Sequence, residues 1–451
     1  VRPLHFSAET HDEAQLDRGA DRGAFKAFLW TSGAVGAAVA LPSMVTGVAA
    51  LAVVGRAIGR KWGALNGVWA ALLLACVLAS SREVGLQYWK FLRFLPAGLL
   101  CVHAVRTFKQ ATPAERTGTL RFAGTVLAVA LVAAAFSLFP EDALFEAVLL
   151  AVLWPVMAVC AHVDEEQDIR GREATVLCLA AAVLLVSAGA AVFRPEGAEL
   201  HGRFRGIFGN PNELSHWWLL VFVVVGIRGL RVGNAAYLAA VATTAALLFF
   251  TGTRGALIGV VLSVLGYVLT RLQVRPAVGW GLLLFVSAWA LAAPDTFLNP
   301  AKRWLPESLV REETVELGGG RLVAWEFGWS EVMKEPWVGH GGGYEERIYR
   351  AFEEELSLQN HQGFSHNSWL AFAINFGIPG GTLMMLALLY RLKLLGASLA
   401  LIALPPVLTS WAVEGWLTAP LSASSPLFFA VAGLAASGRG ARKSQSHERG
   451  S

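Results

Sequence analysis

The chain has 451 residues, of which 55% are hydrophobic and 16% charged. A soluble protein of this size carries about a quarter charged residues, so an ordinary soluble enzyme is excluded. The net charge of +4 gives no footing for nucleic-acid binding. The four cysteines, Cys76, Cys101, Cys160 and Cys178, sit in or beside apolar runs. They read as small buried hydrophobes and outline neither a disulfide nor a metal framework.

Residues 1–26 are polar and mixed in charge, with no apolar segment of signal-peptide type. They read as a flexible cytoplasmic tail. Apolar runs then follow at 27–41, 43–55, 63–80, 86–105, 119–139, 143–163, 174–193, 213–230, 234–251, 255–271, 277–293, 368–390, 394–412 and 417–437. Most approach the length needed to cross a ~30 Å hydrocarbon core. The expected fold is an all-α, polytopic transmembrane bundle of about 12 to 14 spans. The first two runs, split at Pro42, read as a hairpin or one kinked span. The 86–105 run carries Lys90 and Arg93 and reads as partly interfacial.

Basic residues set the orientation. Arg56, Arg60 and Lys61 fall in one loop, and Arg106, Lys109 and Arg116 two spans later. Arg170 with Arg172, Arg228 with Arg231, Arg271 with Arg275, and Arg391 with Lys393 follow at even spacings. That face is expected to be cytoplasmic, as is the basic tail 438–451. The intervening loops, such as "FPEDA" and "VEGW", are short and poor in Lys and Arg.

One connection is long. Residues 294–367 lie on the external side and exceed the length of a simple connector. Within them Leu322, Trp325, Trp329 and Met333 recur at helical spacing. They predict an amphipathic helix, suited to the membrane surface.

Four polar clusters mark the external ends of spans. The first is "HGRFRGIFGNPNELSHWW", with Arg203, Arg205, Asn210 and Asn212. The second is "FFTGTRGALIG", with Arg254. The third is "LGGGRLVAWEF", with Arg321. The fourth is "FSHNSWL", with His366 and Asn367. A lone arginine at a span end is most often a snorkelling anchor. A lone histidine there is more often a hydrogen-bonded helix-end residue than a catalyst. Asn210-Pro211-Asn212 is first a turn and helix cap. Together, on the face where basic residues should be scarce, they describe a site for a phosphate-bearing lipid. Arginine grips phosphate oxygens with paired hydrogen bonds. A neutral histidine takes a proton from a hydroxyl near neutral pH. His366 leads into the 368–390 run, with Asn367 placed to cap that helix. The positive end of the helix disfavours a protonated imidazole there. His340 and His361 are the alternatives in the same loop.

His366-Asn367, nine residues, then Gly377-x-x-Gly380 resembles the H-[NSQ]-x9-G-x-x-[GTY] pattern of bacterial O-antigen ligases. "RFRGIFGNPNEL", "TGTRGALIG" and "GGGRLVAWEFGWSEVMKEPWVGHGGG" look like further signatures of that superfamily, in its order. The superfamily also holds O-antigen and exopolysaccharide polymerases and protein O-oligosaccharyltransferases. The resemblance spans roughly 200–390. It implies an inner-membrane glycosyltransferase of the GT-C type with an undecaprenyl-diphosphate-linked glycan donor. In the ligases the acceptor is a sugar hydroxyl of lipid A–core, and the reaction is inverting and metal-independent, with no cofactor. By position, His366 would be the base, Arg254 and Arg321 catalytic arginines, and Arg203 the arginine before Asn-Pro-Asn. Arg205 is an additional arginine.

A transporter is the rival outside the enzyme class. It would set ionisable groups near mid-membrane on broken helices, and this chain sets few there. Acidic "VDEEQD" at 163–168 falls on the cytoplasmic side, as a solvated loop.

Overall fold

The computed structural model describes residues 13–41, 43–80, 87–161, 166–200, 202–232, 234–292, 321–357, 364–392 and 397–437. Residues 293–320, His361 and both chain ends lie outside them.

The described chain is an all-α bundle with one two-residue hairpin. Helices α1 (Glu13–Ala40) and α2 (Met44–Trp62) are separate, so the hairpin reading of the first two runs holds. Ser43 caps α2, its hydroxyl accepting from the Thr46 N–H at 3.1 Å. Helix α1 begins well inside the expected tail. Once a helix is nucleated each further residue adds a hydrogen bond at small cost, and no proline interrupts 13–26.

Helix α3 (Ala64–Ala79) follows. The short α4 (Gln87–Leu92) and α5 (Phe94–Gln110) then divide the 86–105 run at Arg93. Arg93 does not simply anchor at the interface; its guanidinium donates to the Leu421 carbonyl at 3.0 Å. Next come α6 (Pro113–Ala135), α7 (Pro140–Ala161) and α8 (Glu166–Phe193). Thr112 and Glu115 form a capping box on α6.

Arg172 departs from its expected place in a cytoplasmic loop. Helix α8 starts earlier than the apolar run suggested, and Arg172 is fully buried within it. Its Nε donates to Asn66 Oδ1 at 2.7 Å, and the guanidinium lies 4.8 Å over the Trp69 ring. Its Nη2 donates to the Cys160 carbonyl at 3.2 Å, so two of its three nitrogens and its face offset the lost hydration.

The single turn α9 (Pro195–Ala198) leads into strands β1 (Glu199–Leu200) and β2 (Arg203–Phe204), which pair antiparallel. Four helices follow: α10 (Pro211–Val232), α11 (Asn234–Thr251), α12 (Arg254–Arg271) and α13 (Pro276–Ala292). The long connection contains α14 (Arg321–Lys334), α15 (Tyr344–Ala351) and α16 (Glu353–Ser357). Then come α17 (Ser368–Leu392), α18 (Ala397–Val413), a 3-10 turn at Trp416–Thr418 and α19 (Ser424–Ser437). The last apolar run, 417–437, is therefore helical over only its second part.

Among the described residues, six helices are long and apolar enough to cross a membrane, and several shorter apolar helices accompany them. This is the expected polytopic bundle. Its core is aromatic: Trp154 meets Phe372 edge-on at 5.8 Å, and Trp411 meets Phe428 at 5.4 Å.

Helix α14 forms where the spacing predicts it. Ala324, Trp325, Phe327 and Val332 pack towards α15 and α17, while Trp329 and Met333 are exposed. The side chain of Leu322 lies outside the described set.

The glycines of the resemblance have a structural reason. Gly377 has φ 71° and breaks α17. At that break the Ile374 and Asn375 carbonyls accept from the His340 and Gly341 N–H groups, at 3.0 and 2.8 Å. The Ile378 N–H donates to the Pro336 carbonyl at 2.8 Å. A methyl group on Gly377 would meet the Trp337 carbonyl carbon at 2.5 Å. Residues 336–343 are thus laced backbone to backbone onto α17. Gly377→Ala is expected to lower folded yield and melting temperature, since it adds a clash to a left-handed backbone. Thermal unfolding of the purified variant checks this; wild-type stability would contradict the lacing.

Candidate active site

Helix packing builds the site. Helices α12 and α18 run side by side, with Gly255, Gly259 and Gly266 on the contact. Methyl groups there would strike Val413, Leu219 with Pro406, and the Leu401 backbone, respectively. Small residues permit this approach, and Ser263 Oγ donates to the Ile402 carbonyl at 2.7 Å. The pair is antiparallel, so the start of α12 at Arg254 meets the end of α18 at Val413. The next residue is Glu414.

Glu414 is the centre of the polar cluster. Its Oε2 lies 3.3 Å from His366 Nδ1, and its Oε1 accepts from Arg321 at 3.3 Å. His216 Nε2, on the first turns of α10, is 3.9 Å from Oε1. Ser368 Oγ donates to the Glu414 main-chain carbonyl at 2.6 Å, tying α17 to the same corner. Burial alone would raise the Glu414 carboxyl. His366, hydrogen-bonded to it, together with His216 and Arg321 outweighs that effect and holds it at about 2. The carboxylate is therefore ionised at neutral pH.

His366 is held by its neighbours in a left-handed conformation, φ 46°. Just before it, the Ser365 N–H donates to Glu345 Oε1 at 2.9 Å. The Ser365 carbonyl accepts from Trp325 Nε1 at 2.9 Å. Just after it, Asn367 caps α17 as expected, its Oδ1 accepting from the Leu370 N–H at 2.9 Å. Burial pushes the Glu345 carboxyl up, and the bonds to Ser365 and the charge of His366 oppose the shift. Part of the loop, through Glu345, α14 and α17, thus serves to aim one imidazole.

The helix terminus, expected to disfavour a charged His366, is opposed by the Glu414 carboxylate, which favours it. A donor at Nδ1 towards that carboxylate leaves the ring's lone pair on Nε2.

The arginines divide by role. Arg203 Nε donates to the Thr251 carbonyl at 2.7 Å, and its Nη2 to Asn212 Oδ1 at 2.7 Å and Thr253 Oγ1 at 3.0 Å. It joins β2, α10 and the α11–α12 turn directly beside Arg254. Arg205 instead donates to the Gly197 and Gly209 carbonyls, at 2.9 and 3.3 Å. It fastens its own loop and differs in that respect from Arg203. Asn210 Oδ1 accepts from the Asn212 N–H at 2.8 Å, the expected cap before Pro211. Arg254, partly exposed, opens α12 between Thr253, bonded to Arg203, and Gly255, packed on Val413. Arg321 engages Glu414 through one of its five donors.

His340 is used elsewhere: Nε2 lies 3.0 Å from the Glu331 carbonyl and the ring stacks on Tyr344 at 4.2 Å. Two members of the cluster were not singled out in the sequence. His216 is embedded in the apolar run of α10, and Glu414 stands in the "VEGW" connection. A carboxylate at a span end, on the face where the arginines gather, is the signal that could have found Glu414.

The segments forming the cluster share one end of the bundle. Gly209 N–H donates to the Ser80 carbonyl at 3.0 Å, and Arg347 pairs with Asp142 in "FPEDA". Arg56 and Arg60 near the end of α2, Arg116 at the start of α6, and Arg271 at the end of α12 with Arg275 after it lie at the other ends of these helices.

Fold and cluster define a multi-pass helical membrane protein with a histidine–carboxylate pair and arginines at one end. Residues 239–385 match the family model for O-antigen ligase, and through that segment the chain is related to the O-antigen ligase superfamily. The match takes in Arg254, Arg321, His366, Asn367 and both motif glycines. Arg203, His216 and Glu414 lie outside it. No curated protein matches the chain. Over that segment the chain is similar to O-antigen ligases, a likeness that suggests a glycosyltransferase-like enzyme.

Proposed function

We propose that the chain transfers a glycan from undecaprenyl diphosphate to a sugar hydroxyl of lipid A–core, at the periplasmic face of a bacterial inner membrane. The observation that carries this is the meeting of His366 and Arg321 on the Glu414 carboxylate, beside Arg254 and Arg203. The acceptor oxygen attacks the anomeric carbon as the bond from that carbon to the diphosphate oxygen breaks. The bonding electrons leave with the diphosphate. The acceptor proton passes to His366 Nε2, and Glu414 stabilises the resulting imidazolium. A single in-line displacement inverts the anomeric centre, as in a GT-C-type transferase of the ligase kind. Arg254 and Arg321 offset charge that grows on the leaving group, in a partly desolvated site where such preorganised donors act most strongly. Arg203 and Asn212 align the α11–α12 turn that presents Arg254.

Arg254→Ala and Arg321→Ala are each expected to cost about a hundredfold or more in turnover with the fold intact. Lysine is expected to rescue poorly, since a point charge does not reproduce the paired guanidinium contact. Steady-state transfer by purified variants checks this. Near wild-type rates in both alanine variants would remove these arginines from the chemistry.

The orientation has its own test. A cysteine replacing Glu313 is expected to react with an impermeant maleimide once the outer membrane is opened, with the inner membrane intact. Labelling only after the inner membrane is breached would overturn the periplasmic assignment. Ligase and polymerase separate on gene deletion: a ligase leaves lipid A–core without long chains and accumulates lipid-linked polymer. Single repeats left on the core would assign the polymerase reaction instead.

A further inference from the structure

A groove of about 510 Å³ opens between α2, α3 and α5, away from the polar cluster. Val48, Leu51, Leu95 and Leu99 line its apolar wall, and Arg56 and Arg60 stand towards one end. Close backbone packing shapes its floor. A methyl group on Gly67 would strike the Gly55 carbonyl and meet Gly59 Cα at 3.0 Å, so α2 and α3 nearly touch. Leu95 and Leu99 are 55% and 53% exposed, leaving the flank open towards lipid.

Length and charge identify an occupant. From Val48 to Arg60 the helix covers ~18 Å at ~1.5 Å per residue. One leaflet is half of a ~30 Å hydrocarbon core, so the groove has the depth of one leaflet. Arg56 and Arg60 are both exposed and one turn apart on α2. Among the residues whose side chains are described, a set that leaves out 13–22, neither has a carboxylate within ion-pairing distance. They lie at the bundle end opposite Glu414. Helix α3 starts beside them at Ala64 and must run to Ser80 to reach the Gly209 contact.

We propose that this groove is a site for an anionic phospholipid of the leaflet opposite the transfer site. One acyl chain lies along Leu51, Leu95 and Leu99, and the phosphate sits between Arg56 and Arg60. A polyprenyl diphosphate engaged at Glu414's end has its charged group on the wrong side of the bilayer to use these arginines. The site is therefore separate from donor binding, and its existence does not depend on the transfer reaction.

The test is competitive lipid retention. The purified full chain is incubated with equal amounts of phosphatidylglycerol and phosphatidylcholine bearing the same acyl chains, and bound lipid is counted by native mass spectrometry. Two basic residues at a headgroup give roughly a thirtyfold preference for the anionic lipid. Wild type is expected to keep one tightly held phosphatidylglycerol. Arg56→Gln/Arg60→Gln is expected to lose that preference while melting normally, since both side chains are exposed. Leu99→Trp, which fills the groove and keeps the arginines, is expected to lose the same lipid. Equal retention of both lipids by wild type, or an unchanged preference in the arginine double variant, would overturn the proposal. So would displacement of the bound phosphatidylglycerol by undecaprenyl diphosphate.

Discussion

Glu414→Gln is expected to reduce turnover about 10²- to 10⁴-fold while leaving the fold and donor affinity close to wild type. An amide in place of the carboxylate can donate to His366 Nδ1. It then favours the tautomer with the proton on Nε2, the nitrogen that must accept one. It also removes the charge that stabilises the imidazolium. The tie between Ser368 and the Glu414 main-chain carbonyl is untouched by the substitution, so α17 stays in place. Glu414→Asp keeps the charge and is expected to recover part of the rate. The sharper expectation concerns the double variant. If Glu414 acts through His366, His366→Ala/Glu414→Gln is no slower than His366→Ala alone, because residues acting as a unit are not additive. Multiplicative losses in the double variant would show that Glu414 acts by another route, such as holding Arg321.

His366→Ala is the second large effect. Removing a positioned general base costs about 10²- to 10⁴-fold. Donor binding is expected to be unchanged, since the proposed mechanism assigns the diphosphate to the arginines and not to the imidazole. In wild type, turnover should fall as acidification protonates His366, and this limb should vanish in the residual activity of His366→Ala. Turnover near wild type in the alanine variant, with donor affinity unchanged, would reduce His366 to a helix-end residue.

Much of the bundle was legible because its signal is local. Long apolar runs separated by basic turns specify spans and their alternation, and Asn210 and Asn367 announce helix starts by residue type alone. Gly377 and the four arginine- or histidine-bearing clusters were visible for the same reason. What escaped depends on contacts between distant segments. Glu414 gains its meaning only because glycines on α12 let α18 approach, which brings Val413 to Gly255 and the carboxylate to His366. Nothing local in "VEGW" encodes that. His216 was hidden because it stands in an apolar run, where a histidine is usually a core residue. Residue type alone does not separate Arg203 from Arg205, and only the resemblance singled out Arg203; one joins the helices around Arg254 and the other fastens its own loop. Arg172 looked solvated because α8 begins earlier than its hydrophobicity does. The packed face of α14 was only partly legible: Trp325 of the spaced stripe packs, but so do Ala324 and Val332, which a pattern of large residues leaves out.

The central claim is chemical: this chain moves a glycan off a polyprenyl diphosphate. It is tested most directly with the purified protein in lipid vesicles, given undecaprenyl-diphosphate-linked glycan and lipid A–core. The predicted result is acceptor-dependent release of intact undecaprenyl diphosphate, matched one for one by a glycosylated acceptor of inverted anomeric configuration. Release of undecaprenyl monophosphate instead, or a retained configuration in the product, would contradict it.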